Sequence, residues 1–233
     1  ICASVLKKKK NTTIIQMWHA LGAFKKFGLS IIDSEEGTSS KLSKVMKMHK
    51  NYDYILTSSS NTRRYFKDAF GYDISRVIVM PLPRVDYLTD KNRKKEVIKK
   101  VLKRHPQCKN KKNIIYVPTF RKGMEDIDKI NELINCIDYS KYNLIIKPHP
   151  LSNIKIKDER VICDKYFSSI DMITMGDYVI TDYSAIVFEA SILEKPLFFY
   201  CYDYDKYYRR RNFYINYKEE MPGIITDDAK EIV

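Results

Sequence analysis

Three stretches of this chain place hydroxyl, acidic and cationic side chains where apolar strands run out. Tyr178-Val179-Ile180 empties into Thr181-Asp182-Tyr183-Ser184 and then into the helical pattern Ala185 to Leu193. A strand that stops at small polar residues and restarts as a helix presents free backbone N–H groups, a good seat for phosphate. Ile114 to Val117 ends in the same way at Thr119-Phe120-Arg121, and Leu144-Ile145-Ile146 ends at Lys147-Pro148-His149-Pro150. Cationic side chains are thus expected to converge on one sheet edge, as a pocket for a nucleotide diphosphate.

Each residue type suits a role there. Lys147 and His149 lie two residues apart, on one side of a strand whose exit is stiffened by prolines, so both could reach one diphosphate. The Arg121 guanidinium matches phosphate oxygens bidentately. Thr119, Thr181 and Ser184 offer hydroxyl and backbone donors, and Glu189, on the following helix, could accept hydrogen bonds from a ribose. Asp182 and Ser184 could equally be helix caps.

His19 follows the strand Ile14 to Met17 and precedes a glycine-containing turn, a position suited to a neutral imidazole that takes a proton from an attacking hydroxyl. A packed or capping histidine is the plainer alternative. Tyr200 to Tyr217 holds seven tyrosines with Arg209, Arg210 and Arg211. These could form an aromatic and cationic surface for a phosphate polymer or nucleic acid, or simply pack on the core. The pairs Asp126/Asp128 and Asp203/Asp205 have metal-ligand spacing, but the first opens a helix and the second sits among tyrosines, so neither is read as a metal site. No cofactor is required if cations and helix starts neutralise the diphosphate.

Apolar runs of four to six residues alternate with segments of helical period, which predicts α/β architecture with parallel sheets. Strands are expected at 13–17, 54–57, 77–80, 114–117, 144–146, 160–162, 178–180 and 197–200. Helices are expected at 40–51, 61–70, 90–104, 125–137, 169–175 and 183–194. Pro81-Leu82-Pro83-Arg84 breaks the alternation, so domains are expected at 1–88 and 89–233. Three strands are few for the first domain, which together with the missing initiator Met reads as an incomplete N-terminal domain and a truncated chain.

The formal net charge is +13, with 42 Lys and Arg against 29 acids, which favours polyanionic partners or an anionic membrane surface. Cys2, Cys108, Cys136, Cys163 and Cys201 form no C-x-x-C pair, which fits a reducing cytoplasm rather than a disulfide framework or zinc site. No run of about 18 apolar residues exists to span a bilayer.

Taken together, Gln16-Met17-Trp18-His19-Ala20-x-Gly22-Ala23-Phe24-Lys25, Val117 to Arg121, Lys147 to Pro150, Ile180 to Glu189, Lys195-Pro196 and Pro222-Gly223 resemble the CDP-glycerol glycerophosphotransferase family, the teichoic acid primases and polymerases. The resemblance covers nearly the whole chain, in order. It implies a GT-B architecture, two Rossmann-like domains facing a cleft, with the acceptor approached from the N-terminal one and the CDP-linked donor held by the C-terminal one. It implies transfer of glycerol phosphate or ribitol phosphate from a CDP-activated donor to a hydroxyl of a lipid-linked acceptor, with release of CMP, by a cytoplasmic enzyme peripheral on the inner face of the membrane. His19 would match the candidate catalytic base, with His149 also catalytic. Arg121, Thr119, Lys147, Thr181, Asp182, Ser184, Glu189 and Arg211 would bind substrate. The departures are Ala20-Leu21 where Gly-Thr is common, Pro81 where a glycine is usual, and Asn212 where a glycine often follows Arg211; they put loop geometry and acceptor choice in question. An ordinary GT-B glycosyltransferase using a nucleotide-sugar is the alternative, and a basic nucleic-acid-binding module lacks any recognised motif.

Overall fold

In the computed structural model the described residues are 2–121 and 126–233. The first residue of the helix expected at 125–137 lies outside them, as does the side chain of Cys2. The chain divides into two units, Ile1–Val85 with Asp205–Glu220, and Asp86–Tyr204 with Met221–Val233.

The first unit carries three parallel strands in the order β1 (Ile15–Gln16), β2 (Tyr54–Thr57) and β3 (Val77–Val79). Helix α1 (Ser40–Val45) stops six residues short of its expected end. Lys47, His49 and Asn51 adopt left-handed φ values of 47°, 57° and 76°, which a helix cannot contain. Helix α2 (Arg63–Phe70) buries Tyr65, Phe66, Ala69 and Phe70, one face of a helical period, against Ile55 and Val77 of the sheet.

Asp205–Glu220, expected in the C-terminal domain, belongs instead to this first unit. The Tyr214 N–H donates to the Phe24 carbonyl at 2.7 Å, Tyr214 stacks on Tyr65 at 4.3 Å, and Phe213 stacks on Tyr217 at 4.9 Å. Tyr207, Tyr214 and Tyr217 of the tyrosine-rich segment are therefore core packing, while Tyr208 stays exposed, a division that the aromatic composition alone could not make.

The second unit is a six-stranded, all-parallel sheet. Its strands are β4 (Lys112–Tyr116), β5 (Tyr142–Ile146), β6 (Val161–Cys163), β7 (Tyr178–Thr181), β8 (Leu197–Tyr200) and β9 (Ile224–Thr226), in the order β6-β5-β4-β7-β8-β9. This is the doubly wound order, and the direction of winding reverses between β4 and β7. Its helices include α4 (Lys91–Arg104), α5 (Ile127–Cys136), α6 (Ser169–Met175) and α7 (Ile186–Ile192), while α3 (Pro83–Thr89) contains the break between units and α8 (Tyr204–Arg211) and α9 (Tyr217–Glu220) open and close the segment that returns to the first unit. β4 and β7 read as almost unbroken apolar runs because both faces are covered: Ile115, Tyr116 and Val179 are fully buried. Among the described residues no helix is long and apolar enough to cross a membrane.

Helices α3, α8 and α9 and strand β9 were not expected. β9 is three residues long and follows Pro222-Gly223 rather than an apolar run. Gly223 sits at φ 145°, and a Cβ there would lie 2.3 Å from the Leu197 carbonyl oxygen of β8. Only glycine allows β9 to close on β8 in this way. Gly223→Ala should therefore destabilise the protein by about 1–3 kcal/mol, read as a lower urea midpoint; an unchanged midpoint would show that the strand pairing does not depend on this residue.

Candidate functional site

At the reversal point of the second unit the ends of β4 and β7 are tied together. The Thr181 hydroxyl donates to the Val117 carbonyl at 2.9 Å. The Thr119 N–H and hydroxyl both donate to the Asp182 carboxylate, at 2.9 and 2.5 Å. Arg121 Nη1 lies 2.7 Å from Asp182 Oδ2, and the same guanidinium grips Asp203 through Nε at 2.7 Å and Nη2 at 2.9 Å. Tyr183 donates its hydroxyl to Asp203 Oδ1 at 3.1 Å, and the guanidinium lies 4.7 Å from the centre of the Tyr202 ring.

These contacts change the roles expected of several residues. Arg121 is not presented as a spare cation: its side chain is 3% exposed, and two carboxylates and the Thr119 carbonyl already occupy its fork. Burial works against its charge, but Asp182 and Asp203 outweigh burial and hold it protonated. Asp182 does not cap α7, whose N-cap residue Ala185 makes no side-chain cap bond. Thr181 is wholly buried and spends its hydroxyl inside the sheet. The unit thus anchors its switch point with one arginine between two aspartates, a bidentate geometry that fixes orientation.

The end of β5 is held by a second network. Lys147 is buried and donates Nζ to the carbonyls of Asp164 and Phe167. Burial draws its pKa down, against the pull of Asp164. Asp164, one residue past β6, receives His105 Nε2 at 2.9 Å and the Phe167 N–H at 2.8 Å; burial would raise its pKa, but those bonds and Lys147 lower it overall. Lys147, expected to face a diphosphate, ties the end of β5 to the segment that follows β6; its own loop runs on to His149.

That loop exposes His149. Its Nδ1 accepts the Leu151 N–H at 3.2 Å, which places the proton of the neutral ring on Nε2. The ring lies 5.2 Å from that of Phe120, inclined at 30°. Phe120 is the link that brings His149 to the Thr119-Phe120-Arg121 strand end. Ser184 accepts the Ile186 N–H at 3.3 Å in a local turn, and Glu189 is buried on the first turn of α7.

Arg211 lies in the first unit, 3.1 Å from Glu36, and Arg210 Nε lies 2.8 Å from Glu35. His19 is also in that unit. Ahead of it, Trp18 takes a left-handed φ of 57° and donates its N–H to Gln16 Oε1 at 2.8 Å. Its indole stacks on Phe27 at 4.6 Å and meets Phe70 edge-on. Such a conformation is rare for a bulky residue and persists here because the ring is packed. The His19 imidazole rests 4.1 Å from the indole. Partial burial lowers its pKa from the usual histidine value, and Arg84 and Lys25 add to the shift, so the ring is neutral at pH 7. The departure at Ala20 costs no turn geometry, because the left-handed residue is Trp18.

Asp164 and His105 escaped the sequence reading, and Asp203, which it weighs only as half of a rejected metal pair, is instead a partner of Arg121. Asp164 stands directly after β6, and Asp203 three residues after β8, so the strand-end rule that found Asp182 applies to both. Asp126, of the rejected metal pair, caps α5 by accepting the Asp128 N–H at 3.1 Å. Among the described residues no group of three or more His, Cys, Asp or Glu is arranged to hold a metal ion.

The family described as CDP-glycerol:poly(glycerophosphate) glycerophosphotransferase matches residues 2–233. The chain is 33% identical to the teichoic acid ribitol-phosphate primase of Bacillus spizizenii over 98% of its own length and 61% of that protein's. It is 34% identical to the teichoic acid glycerol-phosphate primase of Bacillus subtilis over 100% of its length and 61% of the relative's. A variant of the wall teichoic acid polymerase TagF soaked with CDPG superposes with a TM-score of 0.76 at 27% identity, over 97% of this chain and 60% of that one. The chain thus spans about three-fifths of the length of these relatives.

The geometry of the arginine clasp predicts unequal costs. Asp182→Asn leaves a wholly buried fork short of one counter-charge and should cost about 3–5 kcal/mol; Asp203→Asn, at a site 16% exposed, should cost less. Equal losses in chemical denaturation would contradict the clasp.

Proposed function

The chain belongs to the CDP-glycerol:poly(glycerophosphate) glycerophosphotransferase family, and on that footing we propose that it transfers glycerol phosphate or ribitol phosphate from a CDP-activated donor to a hydroxyl of a teichoic-acid-type acceptor. The single observation that carries this reading is the family match across residues 2–233, which includes every strand-end motif described above. Relatives named for glycerol phosphate and for ribitol phosphate are equally similar, so the reading covers both polyols.

In this reading the second unit binds the donor at its switch point, where doubly wound sheets take nucleotides. The acceptor hydroxyl loses its proton to the neutral His19 ring, and its oxygen attacks the phosphorus that bears the polyol. A new O–P bond forms, the bond to CMP breaks, and CMP leaves with the bridging oxygen. His149 donates from Nε2 to the phosphate or to departing CMP. Arg121, Asp182, Thr119 and Lys147 hold the strand ends in place, so that His149 and the backbone of residues 183–185 keep one arrangement before the donor arrives. The acceptor is lipid-linked, and the surplus of basic residues favours work at an anionic inner membrane face.

CMP release from CDP-glycerol and from CDP-ribitol, measured on the full-length protein with lipid acceptor, tests the assignment. His19→Ala and His149→Ala should each lower turnover by about 10²–10⁴-fold with folding intact. Because the pKa of His19 is depressed, the activity of the unaltered protein should persist to below pH 6.5 before protonation removes the base. Near-normal turnover in His19→Ala would refute the base assignment, and tighter competition by UDP than by CDP would refute the donor.

A further inference from the structure

Helix α4 carries far more positive charge than its own stability can use. Its sequence, Lys91–Arg104, holds eight Lys and Arg and one acid, Glu96. Val97 and Val101 are buried, and Arg93 is engaged with Asp171 at 2.6 Å, which leaves Lys91, Lys95, Lys99, Lys100, Lys103 and Arg104 exposed. Lys91, Lys95, Lys99 and Lys103 recur every fourth residue, a row of cations about 6 Å apart along the axis. Like charges at this spacing repel, and lysines in the first turn also oppose the helix dipole. Within the helix Glu96 meets Lys100 at 3.9 Å, an exposed and long pair, and Arg104 Nε lies 3.5 Å from Asp164 while its side chain stays about half exposed. Helix α5 of the same unit shows no such excess: its Lys129 pairs with Glu132 at 2.7 Å.

The row leads into a groove. Lys100, Lys103 and Arg104 face Tyr166 and Phe167 across a cavity of about 360 Å³, and the Arg104 guanidinium lies 4.8 Å from the centre of the Tyr166 ring. Tyr166 is 73% exposed. A line of cations ending in a concave seat with an open aromatic ring fits a flexible strand that bears one negative charge per repeat. A bilayer fits less well, because the apolar face of α4 is already buried within its unit and no large apolar side chain of α4 stands exposed to enter lipid.

We propose that the exposed face of α4 and the Lys103/Arg104/Tyr166 groove form a docking surface for the growing poly(polyol phosphate) strand, distinct from the switch point. This rests on the proposed transfer reaction, in that the polymer is the one the family description names. Binding outside the reacting site would keep a charged acceptor chain at hand between additions.

The test is binding of fluorescent poly(glycerol phosphate) to the full-length protein and to a Lys91→Gln, Lys95→Gln, Lys99→Gln, Lys103→Gln variant. The neutral side chains relieve repulsion, so the variant should melt no lower than the parent. Its affinity should fall at least about tenfold, and the slope of log affinity against log salt should flatten by about 3, for four lost contacts. A Lys99→Gln, Lys103→Gln variant should lose an intermediate amount, and sedimentation with phosphatidylglycerol vesicles should be unchanged. Polymer affinity within twofold of the parent would overturn the proposal, as would equal loss of vesicle binding, which would make the helix a membrane contact. Parent protein that binds polymer but releases no CMP from either donor would refute the transfer reaction and leave the docking surface standing.

Discussion

The carboxylate of Asp182 is the point on which the second unit turns. It sits where the winding of a parallel sheet reverses, a place that leaves a crevice between loops with no strand to fill it. Loops there need an anchor, because neither has a ladder partner beyond the strand ends. Asp182 supplies one by accepting both donors of Thr119 and pairing with Arg121, which in turn holds Asp203. Three strand ends, those of β4, β7 and β8, are thereby joined through one buried guanidinium. The aromatic link from Phe120 to His149 adds the end of β5.

The sequence made the strand tips legible because their apolar runs are long, buried on both faces and closed by polar residues. The alternating β/α order and the grouping of Thr119, Arg121, Asp182 and His149 followed from that pattern. What each residue does there did not. Arginine beside a strand end reads as a phosphate ligand until its partners are known, and Asp203 lies 82 residues away in sequence from the arginine it binds. Lys147 is alike in this: its partners are backbone carbonyls of Asp164 and Phe167, which carry no sequence signal. Strand β9 and the return of Asp205–Glu220 to the first unit were hidden by short length and by aromatic residues that suit a core as well as a ligand.

Departures from family glycines also resolve into backbone geometry. Asn212 adopts φ 60° and accepts the Phe213 N–H on its own side chain, which is how asparagine substitutes for glycine in the left-handed region. In the Trp18-His19 segment the left-handed conformation falls one residue before the histidine, so Ala20 can be buried in an ordinary conformation. Packing of Trp18 on Phe27 and Phe70, rather than glycine freedom, sets the position of His19.

The cytidine nucleotide is proposed to bind at the strand ends joined through Asp182 and Arg121. Amide chemical shifts recorded while CMP is added to the folded protein test it most directly. The largest changes should cluster at residues 117–121, 147–151 and 181–185. Saturable binding that leaves those amides unmoved and shifts another region would contradict it.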